Sequence, residues 1–178
     1  MLAKNENIIA GLGTDMNKLI FDKMDSLTTK QLIETLAKFD IEVRYFKDAN
    51  CDAILYWDNN NAKTSIAINT TREQEMQNVI IATSLGKLVI NYDWLPNRKT
   101  KKLMGMLDNV TINDQETFAF KEFAMYFLMP DQAVEKALVQ ISDKEQNYQN
   151  AIYQISQTFD VPVNFALKRV NAFLDKDK

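Results

Sequence analysis

Histidine does not occur anywhere in the 178 residues of this chain. Its absence removes histidine-ligated zinc, the histidine-dependent triads and histidine general bases together. Cysteine occurs once, at Cys51, so the chain has neither an internal disulfide nor a thiolate cluster to stand in for imidazole. Any metal would have to be held by oxygen alone, and no cofactor is expected. Long hydrophobic runs are missing too. The run Val79 to Ala82 is interrupted by Thr83-Ser84 and then Lys87, and no run approaches the roughly 20 residues that span a bilayer. The N-terminal Met-Leu-Ala-Lys-Asn-Glu-Asn lacks the charged-then-apolar pattern of a signal peptide, and a cytoplasmic protein is expected. Positive charge is not in excess: 21 basic residues face 24 acidic ones, and a net charge of -3 gives no global attraction to nucleic acid.

What is present is ordinary for a globular chain, with 46% apolar and 25% charged residues, and the length supports one unit with a substantial core. Residues 1–24 read as an N-terminal arm. Gly11-Leu-Gly13-Thr14 looks like a loop within it, and a lone Gly-x-Gly without a preceding strand is a poor phosphate-loop signal.

From there the chain is clearer. Ser26 or Thr28 can cap a helix whose apolar stripe is Leu32, Ile33, Leu36, Ala37 and Phe39, ending near Asp40. Ile41–Phe46, Asp52–Trp57 and Lys63–Asn69 read as three strands, with Asp58-Asn-Asn-Asn61 as a turn rather than a calcium loop. Arg72-Glu-Gln-Glu75 opens a helix that runs to about Asn91. Residues 93–113 read as a polar connector with a basic cluster, Arg98-Lys-Thr-Lys-Lys102, taken as solvated, and one short helix near Leu103 to Leu107. Asp114–Met129 is a second strong helix, stopped by Pro130. Three amphipathic helices follow, at 131–141, from about Asn147 to Phe159, and from about Val163 to Leu174.

The helix from 72 to 91 carries the unusual residues. Thr83 and Lys87 are an i, i+4 pair on one face, with Ser84 beside Thr83. This is the spacing of His-Glu-x-x-His in zinc proteases, where two imidazoles converge on one metal and the carboxylate polarises its water.

Beyond spacing, several segments resemble the ImmA/IrrE metallo-endopeptidases. These are Ile66-Ala-Ile68-Asn69, Arg72, Ala82 followed by Thr-Ser-Leu-Gly-Lys where the family has His-Glu-Leu-Gly-His, Phe123-Ala, Leu128-Met-Pro130, and Phe159-x-Val161 before an apolar helix with Arg169. The resemblance covers roughly residues 27–173. It implies an α+β fold: a small three-stranded, mostly antiparallel sheet packed against zincin-like helices, with a C-terminal helical segment. The corresponding division is residues 1–24 as arm, 25–145 as core and 146–178 as a C-terminal helical pair packed on it.

The resemblance also places Thr83 at the first zinc-ligand histidine, Ser84 at the catalytic glutamate, Lys87 at the second histidine, and Ala119 or a close neighbour at the acidic third ligand. No catalytic, cofactor or metal residue is then expected. An ammonium at Lys87 repels a divalent cation and a threonine hydroxyl is a poor zinc ligand. Glu122 alone does not hold zinc tightly.

Family members cut or antagonise repressors in phages, mobile elements and stress responses. The implied function is an inactive relative that binds a protein partner, such as a helix-turn-helix repressor, through a cleft bearing Thr83, Lys87, Asn91, Ala119 and Glu122. No membrane association is expected. Lys87 is expected to fill the vacated cavity, snorkelling or paired with a carboxylate, and Ser84 to bond a carbonyl one turn back. Met76, Met125 and Met129 read as core filler.

Two alternatives stay open. One is a hydrolase or peptidase with a rearranged non-zinc site, for which Ser84-x-x-Lys87 is the candidate pair. The other is a DNA-binding regulator using the C-terminal helices, with Asn164, Lys168 and Arg169 on the second of them.

Overall fold

Strand β3 (Lys63–Asn69) is central to the sheet. Its Ile66 and Ile68 are buried, as are Thr64, Ser65 and Asn69, which is the pattern of a strand covered on both faces. The computed structural model describes residues 2–21, 28–47, 50–58, 63–92, 105–112, 115–142 and 147–175. Within them β1 (Ile41–Phe46) pairs parallel with β3, and β2 (Ala53–Asp58) pairs antiparallel with it, Leu55 facing Ile66. The α+β class and the mostly antiparallel sheet hold.

A fourth strand, β4 (Gly105–Val110), joins the free edge of β2 in the order β1-β3-β2-β4. Over Gly105 to Leu107 this corrects the short helix expected near Leu103 to Leu107, whose first two residues lie outside the described ones. A short apolar run does not distinguish helix from strand by periodicity, and here the unpaired edge of β2 supplies hydrogen-bond partners that local sequence does not reveal. Of the expected turn Asp58–Asn61, Asp58 is the last residue of β2 and the rest lies outside the described residues, as do the basic cluster 98–102 and Ser26. Thr28 is the cap of α2 (Thr29–Ala37), in a reciprocal capping box with Gln31.

The N-terminal residues also differ from expectation. Gly11 and Gly13 lie inside one continuous helix, α1 (Leu2–Phe21), and not in a loop. The reason is tertiary: a Cβ on Gly13 would stand 2.5 Å from the Phe123 carbonyl oxygen. Glycine lets α1 press against α4 (Phe118–Leu128), and this contact outweighs its poor helix propensity. Asn17 completes the contact by donating its amide to the Phe127 carbonyl at 2.6 Å, while Phe21 meets the Phe127 ring at 5.4 Å.

On the other side of α4 runs α3 (Gln74–Tyr92), every residue of which from Asn78 to Val89 is buried. A helix apolar almost all round belongs inside a core, and α3 is enclosed between the sheet and α4. Its Asn78 amide donates to the Asp160 carbonyl at 3.0 Å, and Thr29 of α2 donates to the Asp160 carboxylate at 3.1 Å. Asp160 itself ends α6 (Tyr148–Phe159) in the left-handed conformation, with φ of 49°, which aspartate tolerates better than most residues.

Pro130 separates α4 from α5 (Asp131–Ser142), and Pro162 precedes α7 (Val163–Leu174), both as the sequence indicates. Arg169 of α7 is fully buried, donates Nε to the Met129 carbonyl at 2.8 Å, pairs with Asp131 and lies 4.3 Å from the centroid of the Tyr126 ring. One guanidinium thereby joins α7 to the α4–α5 corner. No helix among the described residues is long and apolar enough to cross a membrane.

Candidate functional site

Thr83, Lys87 and Asn91 follow one another at four-residue steps along α3, so they share a face of the helix. Their environments differ sharply. Thr83 is 0% exposed and Lys87 8%, whereas Asn91, in the last turn, is exposed. Ser84 is also wholly buried. Ala119 and Glu122 are half-buried on α4, the helix packed along α3.

The two helices approach closely because of Gly86. A Cβ there would meet Phe123 Cδ1 at 2.9 Å and the Phe120 carbonyl oxygen at 3.1 Å. This proximity carries Lys87 onto α4, where its Nζ lies 5.8 Å from the centroid of the Phe120 ring. That is within reach of a cation–π interaction. Lys87 is therefore held in the α3–α4 interface, its ammonium against the Phe120 ring.

Ser84 departs from expectation. Its Oγ makes no hydrogen bond, neither to the carbonyl one turn back nor to any other described group, and the Thr83 hydroxyl has no partner either. A buried hydroxyl without a hydrogen bond carries a desolvation cost of about 1–3 kcal/mol. Two adjacent ones mark this segment of α3 as polar beyond what packing requires. Ser84 also sits in mid-helix, away from any helix N-terminus that would activate a nucleophile.

These residues do not fit a zinc ion. Zinc takes thiolate, imidazole or carboxylate donors, and the positions in question offer two neutral hydroxyls, an ammonium and the methyl of Ala119. Among the described residues no group of three histidine, cysteine, aspartate or glutamate side chains could hold a metal. No step can be routed through a metal with this donor set.

Full burial also means that Thr83 offers no surface to a partner in this conformation. Of the five residues expected to form a partner cleft, Asn91, Ala119 and Glu122 have substantial exposure. The three α7 residues expected for DNA contact divide similarly. Asn164 and Lys168 are exposed, but Arg169 is buried and committed to Met129 and Asp131, which corrects its place among the groups available to bases. Met125 and Met129 are core residues and Met76 packs against the core, as expected.

One further feature has no signal in the sequence. A half-open pocket of about 110 Å³ lies beside the α3–α4 seam, lined by Met76 and Val79 of α3, Ile112, Lys121 of α4, and Pro162, Asn164, Phe165 and Lys168 at the start of α7. Val79 is one turn before Thr83 on α3. The pocket's residues come from four separate parts of the chain, so no local spacing announces it.

The comparison of the sequence with protein families gives a match. Residues 36–171 match the family model of peptidase M78, the IrrE N-terminal-like domain. No curated protein matches the chain. The match takes in the whole sheet, the α3–α4 pair that carries Thr83, Ser84 and Lys87, and α7 as far as the buried Arg169, and on this basis the chain belongs to the IrrE N-terminal-like peptidase M78 family.

Proposed function

We propose that this protein is a catalytically inactive member of its family that acts by binding a protein partner, of the class of helix-turn-helix repressors of a phage or mobile element. The observation that carries the reading is Lys87. An ammonium lies against the Phe120 ring inside the α3–α4 interface at the position where the family resemblance puts a zinc-binding histidine. A metal placed there would meet like charge in a setting of low dielectric, where repulsion is strong. The surrounding framework is kept: Gly86 against Phe123, the buried Met129 before Pro130, and Arg169 on the Met129 carbonyl. Retained packing with substituted chemistry is what a binding role requires. The accessible part of the surface is Asn91, Ala119 and Glu122, at the rim of the α3–α4 seam.

The test is to incubate the full chain, with and without added zinc, with a helix-turn-helix repressor of a phage or mobile element. The reading expects an intact regulator by mass spectrometry and a complex on size-exclusion chromatography that Ala119→Arg or Asn91→Arg weakens. Zinc-dependent cleavage of the regulator would overturn it in favour of a peptidase. A salt-sensitive mobility shift on DNA without the regulator would favour the DNA-binding alternative.

A further inference from the structure

The pocket between α3, α4 and α7 has an uneven chemistry. Met76, Val79, Ile112, Pro162 and Phe165 make its walls apolar, and its charged groups are both cationic, Lys121 and Lys168. Among the described residues no carboxylate lines it. Among the described residues neither lysine has an ion-pair partner, although the chain as a whole carries an excess of acid. Two ammonium groups from different helices thus flank one apolar recess without a counter-charge from the described residues.

The size of the recess limits what enters. An apolar cavity of roughly 150 Å³ accepts a benzene ring, so about 110 Å³, open to solvent, suits one aliphatic side chain and is too small for an indole. The apolar walls disfavour a phosphate backbone, which would leave Met76, Val79 and Phe165 without a partner.

From this complementarity we propose that the pocket docks an acidic peptide segment of a partner protein, one leucine- or methionine-sized side chain entering between Val79 and Phe165 while flanking carboxylates meet Lys121 and Lys168. The inference rests on the reading of the chain as a partner-binding protein and names the chemistry of the contact. Lys121 and Lys168 steer and orient the acidic segment, and the recess supplies the contact that distinguishes a segment with a central aliphatic residue from one without.

The probe is a twelve-residue peptide with a central leucine flanked by aspartates, titrated into the full-length ¹⁵N-labelled protein. Control titrations use the same peptide with lysines for aspartates, the peptide with serine for leucine, free isovalerate and a short DNA duplex. The expected result is saturable shifts confined to amides around Met76, Val79, Ile112, Lys121, Phe165 and Lys168, with the serine peptide and the lysine peptide each at least about tenfold weaker. The Lys121→Glu/Lys168→Glu variant should weaken the aspartate peptide by a similar factor and improve binding of the lysine peptide. Because both lysines reach the surface, this variant should keep the wild-type spectrum elsewhere.

Equal binding of the two charge patterns, shifts away from the pocket, or no saturable shift at millimolar peptide would overturn the inference. So would isovalerate or DNA reproducing the shifts at lower concentration than the peptide. A regulator complex that forms equally well with the Lys121→Glu/Lys168→Glu variant defeats the pocket assignment alone, whereas cleavage of the regulator defeats the underlying reading.

Discussion

Gly86 of α3 lies so close to Phe123 of α4 that a Cβ added to the glycine would stand 2.9 Å from the ring. Phe123 is itself fully buried and stacked on Phe127 at 5.6 Å, so the ring has little room to yield. Alanine has the better helix propensity by about 1 kcal/mol, but overpacking a tight core costs about 1–3 kcal/mol. Gly86→Ala is therefore expected to lower the urea midpoint. A midpoint that rises would show that the helices can separate at no cost.

The two glycines of α1 provide an internal comparison. A Cβ on Gly11 meets nothing within 4 Å, while one on Gly13 runs into the backbone of α4. Gly11→Ala should stabilise by about 0.5–1 kcal/mol, and Gly13→Ala should destabilise by at least about 2 kcal/mol. Equilibrium denaturation of the pair separates propensity from packing, and equal effects would contradict the docking of α1 on α4.

Arg169 is buried with its Nε on the Met129 carbonyl and Asp131 on its other arm. Removing it leaves the buried Met129 carbonyl without this hydrogen bond and takes one ion pair from Asp131. Arg169→Ala is expected to cost at least about 1–3 kcal/mol, the desolvation of the carbonyl it leaves. Lysine should not rescue it, because a single ammonium does not reproduce the guanidinium fork. Thermal melts of the three proteins are the check, and a lysine variant as stable as wild type would reduce the role of Arg169 to its charge.

At Lys87 the sign of the charge should matter more than its presence. Lys87→Met keeps the stem and loses a cation–π contact of about 0.5–2 kcal/mol. Lys87→Glu puts a carboxylate against the Phe120 ring in a nearly closed site and should cost at least about 2 kcal/mol more than the methionine variant. Equal stability of the two would mean that the side chain leaves the interface.

Much of this arrangement is legible in the sequence where the determinants are local. Val163–Leu174 is bounded by Pro162 and carried by an apolar stripe, and α5 begins after Pro130, so both are readable from neighbouring residues. The i, i+4 relation of Thr83 and Lys87 follows from helix geometry alone. What escapes is set at long range. Gly13 is helical because of the backbone of Phe123, 110 residues being the separation of the neighbouring Asn17–Phe127 contact. β4 is a strand because β2 has an edge to fill, and the Lys121–Lys168 pocket exists because α7 returns to α4. The burial of Arg169 belongs to the same class, since its amphipathic position does not show which carbonyl waits for it.

The central claim is that Thr83, Ser84 and Lys87 leave a family framework without its metal chemistry. Isothermal titration of zinc into the purified full-length protein tests it most directly. No stoichiometric binding is expected at micromolar zinc, and one equivalent bound at micromolar affinity or tighter would return metal chemistry to these positions.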